Sequence, residues 1–155
     1  MKKTILVFLL VTFGASTLIA QDYERAFGLR LGTMVGASYK QFLNTSQAIE
    51  AIVDLDIIDS DALSLRGTAL YQFHFPISSV DGLAWYIGPG ATFGLRLGDD
   101  SGFLLGLDGM VGLEYKLSEL PLCFSIDYNP KFYLIGYDDP KFKAANAGLT
   151  IRYTF

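Results

Sequence analysis

The residues most capable of chemistry are aspartates that occur in pairs in three short polar segments. Carboxylate oxygens are the ligands that Ca²⁺ and Mg²⁺ prefer in proteins, so such pairs are candidates for a divalent-cation site. Aspartate is also a favoured turn residue, and the turn interpretation is the simpler one. The six aspartates are Asp59, Asp61, Asp99, Asp100, Asp138 and Asp139.

The chain has one histidine, His74, and one cysteine, Cys123. A single cysteine cannot form an internal disulfide, and one histidine with one cysteine gives no metal-ligand pattern. We therefore expect no metal and no cofactor. We expect His74 to be a structural residue that pairs with a buried carboxylate, and Cys123 to be a small filler.

The stretch from residue 102 to residue 117 shows what kind of element positions these side chains. Its odd-numbered residues carry no charge and are apolar or glycine, from Phe103 to Leu117. Its even-numbered residues include Asp108, Glu114 and Lys116. Successive side chains of a strand point to opposite faces, so this stretch is predicted to be one long strand with an apolar face and a polar face.

Seven further segments alternate in the same way and are joined mostly by short turns. They predict an all-β, eight-stranded antiparallel barrel with up-and-down order. Ala and Glu also allow a helix in the third segment. Pro89 and Pro130 fall inside strands, where a closed sheet has no free edge, so we expect bulges or bends there. The predicted strands are 26–33, 35–42, 48–58, 62–75, 83–97, 102–117, 122–134 and 145–155.

The charged residues of the predicted strands all lie on one face. Seven positive and six negative charges nearly cancel, as a narrow closed lumen requires. Glycines share this face and would make room for large side chains. An eight-stranded barrel is about wide enough for side chains to fill, so we expect a plugged lumen and no open channel. The charged residues are Arg30, Lys40, Glu50, Asp54, Asp56, Arg66, Arg96, Asp108, Glu114, Lys116, Asp127, Lys131 and Arg152.

The apolar face carries aromatic residues at the starts of odd strands and the ends of even strands, such as Phe27, Trp85 and Tyr153. These positions share one rim of an antiparallel barrel, and an aromatic rim is typical of a membrane interface. We therefore favour a transmembrane β-barrel with the apolar face outside. The alternative is a secreted soluble lipocalin-like barrel with the apolar face inside, binding a small apolar ligand.

The N-terminus has the pattern of a secretory signal peptide. Lys2 and Lys3 precede the apolar run 5–11, and small residues lead to Ala20. We expect residues 1–20 to be a cleaved helical signal peptide and residues 21–155 to be the barrel domain, with an uncleaved anchor as the alternative. The net charge of −4 argues against nucleic acid as a partner.

The final residues L-T-I-R-Y-T-F alternate and end in Phe155. With the eight strands and the signal peptide, the chain resembles the OmpA/OmpX-like class of small bacterial outer-membrane barrels. The resemblance implies an outer-membrane monomer that the barrel assembly machinery recognises through Phe155. It also places the termini on the periplasmic side and the paired aspartates outside, facing lipopolysaccharide. The function expected is structural and non-enzymatic.

One alternative within such barrels is a lipid-A-modifying enzyme. Barrel enzymes of this kind use a histidine together with a serine. His74 falls on the predicted lumen face, and no Ser-His motif of these enzymes is evident in the sequence.

Overall fold

The computed structural model describes residues 23–56, 62–98, 101–136, 142–143 and 146–155. The predicted signal peptide and all six paired aspartates lie outside these ranges. No helix among the described residues is long and apolar enough to cross a membrane.

The described chain forms ten β-strands. The first six begin and end close to the predicted boundaries, whereas the predicted strand 122–134 is divided into two strands and a short strand precedes the predicted start of the last one. The strands are β1 Arg25–Gly32, β2 Val35–Asn44, β3 Gln47–Asp56, β4 Ala62–Pro76, β5 Leu83–Gly98, β6 Gly102–Lys116, β7 Leu122–Tyr128, β8 Lys131–Ile135, β9 Phe142–Lys143 and β10 Ala147–Thr154.

The ten strands occupy eight positions of a closed antiparallel barrel. The first six pair in chain order, β10 pairs with both β1 and β7, and the β5–β6 pairing completes the ring. β7 and β8 both pair with β6 and form the seventh position, while β9 precedes β10 in the eighth. The prediction of an eight-stranded antiparallel barrel is confirmed, and the helical alternative for the third segment is wrong over Gln47–Asp56.

The two prolines within strands behave differently. Pro130 lies in the break between β7 and β8, so the predicted strand is interrupted where a bulge or bend was expected. At Pro89 the β4–β5 pairing stops at Leu70↔Gly90 and resumes at Phe73↔Ile87 without a change of register. Of the bulge or bend predicted at Pro89, the bulge is therefore wrong, and the bend stays a prediction. Proline has no N–H to donate, and a local gap in the ladder accommodates that loss instead.

The barrel is polar inside and apolar outside. Along β1 and β10, exposed and buried side chains alternate at every residue over most of the strand. The exposed side chains include Leu29 at 63% and Phe103 at 65%, whereas Arg152 and Lys40 are completely buried. At one rim the outward-facing rings of Phe75 and Trp85 stack with their centroids 4.3 Å apart.

Candidate functional site: the charged lumen

Most of the charged residues predicted for the lumen are enclosed by the barrel. Ten of the thirteen side chains are at most 6% exposed. Arg96 and Lys116 are only half-buried, and the Asp56 side chain lies outside the described part of the chain. The ten enclosed residues are Arg30, Lys40, Glu50, Asp54, Arg66, Asp108, Glu114, Asp127, Lys131 and Arg152.

Arg152 is the centre of the network nearer the termini. Its guanidinium donates to the Glu50 carboxylate and to the Ser125 hydroxyl, with 2.7 Å between Nη1 and Oγ. Its Nη1 also lies 3.6 Å from Glu114 Oε2. One arginine therefore links two carboxylates that come from opposite sides of the barrel.

Lys40 completes this group. Its ammonium donates to Glu114 Oε2 at 2.6 Å and lies 3.8 Å from Glu50 Oε2. Glu50 accepts further hydrogen bonds from Ser38 Oγ at 2.5 Å and from Gln72 Nε2 at 2.6 Å. Two cations thus neutralise two carboxylates, and polar neighbours satisfy the remaining lone pairs, which is the condition under which buried charges are tolerated.

A second set of ion pairs lies further from the termini. Arg30 binds Asp127 in a bidentate manner, with 2.6 Å between Nη2 and Oδ1. Lys131 lies 3.3 Å from Asp108 Oδ2 and donates to Thr92 Oγ1 at 2.8 Å. Each cation again has a carboxylate partner within the barrel.

Glycines make this packing possible. A Cβ atom on Gly148 would lie 2.5 Å from Arg30 Nη2, and one on Gly112 would lie 2.5 Å from Tyr86 Cζ. Neither side chain could keep its position if alanine replaced the glycine beneath it. The lumen glycines therefore accommodate tyrosine as well as arginine.

An aromatic cluster closes the lumen near the termini. Tyr23 packs edge-on against Phe42 at 5.1 Å between ring centroids, and Phe42 packs against His74 at 4.8 Å. His74 stacks on Tyr86 at 5.0 Å, and Lys40 Nζ lies 4.4 Å from the Tyr86 ring centroid. We call Tyr23, Phe42, His74 and Tyr86 the aromatic plug.

Tyr23 ties the segment before β1 to the charged network. Its hydroxyl donates to Glu114 Oε1 at 2.6 Å, and only 8% of the residue is exposed. Burial, followed by the negative charge of Glu114, raises the pKa of the Tyr23 phenol well above its ordinary value. The phenol therefore stays protonated and can keep donating to the carboxylate.

His74 is enclosed in the lumen. Its Nε2 lies 3.2 Å from Gln72 Oε1, whereas its Nδ1 has no hydrogen-bond partner among the described residues and lies 3.9 Å from Glu114 Oε1. The predicted pairing with a carboxylate is thus a loose contact. Cys123 is fully buried next to Tyr23, with 3.9 Å between the two heteroatoms.

No group of three or more His, Cys, Asp or Glu side chains within the described ranges could hold a metal ion. The aspartates proposed for a cation site fall outside those ranges, so that site stays a prediction.

Several features of the lumen were not predicted from the sequence. Ile52, Leu70 and Met110 are buried together with Tyr86 inside the barrel, although their face was predicted to be polar. The alternation of the strands places these three positions inside the barrel, so their burial could have been predicted from the sequence. Lys116 was predicted to lie in the lumen, but it is only half-buried, and its ammonium donates to the backbone carbonyls of Leu117 and Leu120 at the barrel end.

The closed ring and the filled lumen define a small eight-stranded barrel with an apolar exterior. The chain is similar in fold to the crystal structure of Neisserial surface protein A (NspA), with a TM-score of 0.54 and 15% sequence identity. The likeness covers 84% of this chain and 93% of that one. No family model matches the sequence, and no curated protein does.

Proposed function

We propose that this protein is an integral outer-membrane barrel of the OmpA/OmpX-like class with a structural role in the cell envelope. The observation that carries the proposal is the distribution of side chains across the wall. Apolar residues such as Leu29, Leu107 and Ile126 are more than half exposed outside, and arginine, lysine and carboxylate groups are buried inside. Only a bilayer solvates such an exterior and leaves such an interior stable.

The same distribution argues against the soluble lipocalin-like alternative. A soluble barrel needs an apolar lumen for its ligand and a charged exterior for water. Here the described part of the lumen holds the Arg152 network around Glu50 and Glu114, and the aromatic plug lies beside it. The exterior would instead expose a continuous apolar surface to water, which monomeric soluble proteins avoid.

The lumen acts as a fixed internal brace. Its ion pairs join strands that are far apart in the ring, for example β2 with β6 through Lys40 and Glu114. The lumen charges balance one another and are closely packed, so opening a permanent water-filled path would cost free energy. We therefore propose that the barrel has no stable ion conductance. We also propose that it has no catalytic activity. The work of the protein is then mechanical: it holds a closed, rigid cylinder in the bilayer.

The proposal includes export and assembly. Residues 1–20 would direct secretion, and the barrel assembly machinery would recognise Phe155. The terminal ring is 59% exposed, and the Phe155 backbone is fixed by hydrogen bonds to Arg25 at 2.9 and 3.1 Å. The paired aspartates would face lipopolysaccharide, where they could hold divalent cations.

Cell fractionation tests this function. The full chain, expressed in a Gram-negative host, should be recovered in the outer-membrane fraction and should migrate faster on a detergent gel before heating than after. Recovery in the soluble periplasmic fraction, with no heat-dependent change in migration, would favour the soluble barrel instead.

A further inference from the structure

The outer wall of the barrel carries an apolar groove across β3, β4 and β5. Its volume is about 530 Å³, within the range of small-molecule sites. The outward-facing residues that line it include Ala51, Ala69, Tyr39, Tyr71 and Pro89. All five residues belong to the outward-facing set of the alternation.

Two features of the sequence create this groove. The small side chains of Ala51 and Ala69 are direct cross-strand neighbours, so the wall is thin over two strands. The β4–β5 ladder also lacks two residue pairs at Pro89, which lines the groove. The Tyr71 hydroxyl donates to Gln47 Oε1 at 2.8 Å, which holds one wall of the groove in place.

A line of outward-facing cross-strand neighbours connects the groove to the rim of the barrel. Arg25 faces Gln41, Gln41 faces Ile49, and Ile49 faces Tyr71. Pro89 lies opposite Tyr71 in the same register. Four strand spacings make this line about 19 Å long. The line is inclined to the barrel axis, so it crosses most of one bilayer leaflet, whose hydrocarbon is about 15 Å thick.

The rim end of the line carries opposite charges. The Arg25 side chain is exposed, and it forms no hydrogen bond or ion pair with the described residues. The exposed Glu24 is its chain neighbour, and the half-buried amide of Gln41 lies on the adjacent strand. A guanidinium beside a carboxylate complements a phosphate that is linked to an ammonium group, and arginine is well suited to phosphate.

We propose that this groove binds one zwitterionic glycerophospholipid of the periplasmic leaflet. One acyl chain lies over Ala51 and Ala69 and ends at Pro89. The phosphate lies at Arg25 and Gln41, and the headgroup ammonium lies beside Glu24. The inference rests on the proposed membrane location, because only that location brings lipid to the outer wall.

Native mass spectrometry of the full barrel tests this site. The protein is first inserted into vesicles that contain phosphatidylethanolamine and phosphatidylglycerol in equal amounts, and flotation with the vesicles checks the membrane location separately. After mild detergent extraction, wild type should retain one phospholipid, with phosphatidylethanolamine enriched. Ala69→Phe fills the groove and should lower the retained fraction about tenfold.

Matched variants separate this site from general lipid contact. Ala147→Phe adds the same ring to an exposed, outward-facing position on β10, a strand that does not line the groove, and should retain lipid as wild type does. Glu24→Gln should lose the preference for phosphatidylethanolamine, because it removes the carboxylate beside the headgroup ammonium. Arg25→Gln should lower the retention of both lipids, because both carry the phosphate. If Ala69→Phe impairs folding, as judged by heat-modifiable migration, Ala51→Phe serves in its place.

Two results would overturn the proposal. Equal lipid retention by Ala69→Phe and Ala147→Phe would mean ordinary annular lipid only. A dimer mass in wild type that disappears in Ala69→Phe, with no lipid adduct, would show that a second copy of the chain occupies the groove. Failure to float with vesicles would instead contradict the proposed membrane location.

Discussion

Arg152 reaches Ser38 across the whole width of an intervening strand, with 2.9 Å between Nε and Oγ. Arg152 is on β10, Ser38 is on β2, and the residue of β1 between them is Gly28. A Cβ atom on Gly28 would clash with the backbone of β10, at 2.6 Å from Arg152 Cα. The hydrogen bond therefore ties three strands together at the point where the first and last strands meet.

Removing the central cation should destabilise the barrel strongly. Arg152→Met leaves Glu50 and Glu114 buried with only Lys40 to neutralise them. Breaking a buried ion pair from one side costs about 3–5 kcal/mol, so the free energy of unfolding should fall by that amount. Urea unfolding of the barrel in vesicles measures it.

The control for this experiment removes one carboxylate as well. Arg152→Met with Glu50→Gln restores the charge balance and should recover part of the lost stability. A single Arg152→Met variant as stable as wild type would show that the network does not brace the barrel.

Alanine at Gly148 should displace Arg30 from Asp127. The added Cβ would overlap the guanidinium, and overpacking of this kind costs about 1–3 kcal/mol. Gly102→Ala is the matched control, because a Cβ there meets nothing within 4 Å. The urea concentration at the midpoint of unfolding should fall for Gly148→Ala and not for Gly102→Ala. Equal midpoints for the two variants would contradict the close packing of Arg30 against Gly148.

Alkaline pH should weaken the barrel through Tyr23. The phenol has a raised pKa in the fold and an ordinary pKa of about 10 when unfolded. The contribution of the protonated Tyr23 phenol to the free energy of unfolding is therefore complete below pH 10. This contribution is lost as the pH rises above 10 toward the pKa of the phenol in the folded protein. Over that interval the loss is at most about 1.4 kcal/mol per pH unit.

Tyr23→Phe isolates this contribution. The variant should be less stable than wild type at pH 8, because the hydrogen bond to Glu114 is gone, and its stability should fall less steeply above pH 10. Urea unfolding at a series of pH values measures both effects. Parallel curves for the two proteins would mean that Tyr23 does not titrate with unfolding.

A charge on the outer wall should cost more at mid-belt than at the rim. Leu107 is 56% exposed near the middle of β6, and Tyr153 is equally exposed near the end of β10. In a bilayer, the free energy of unfolding should fall by about 2–4 kcal/mol for Leu107→Arg and by about 0–1 kcal/mol for Tyr153→Arg. The two losses should become similar if the exterior faces water.

The alternation of side chains made the strands and their faces predictable, because a one-residue slip would reverse both faces of a strand. The partners inside the lumen were not predictable. Lys40 meets Glu114 across the barrel, and that contact depends on how the ring closes and staggers, which no local pattern encodes. The entry of Tyr23 into the barrel end was also missed, since a polar lead before a strand carries no periodic signal.

The single tryptophan gives the most direct test of the central claim, that the apolar face of this barrel contacts lipid. Trp85 lies on the outer face near the start of β5, stacked on Phe75. In vesicles of phospholipids with brominated acyl chains, its fluorescence should be strongly quenched, and most by bromine close to the headgroups. Equal fluorescence in brominated and ordinary lipid would contradict the account.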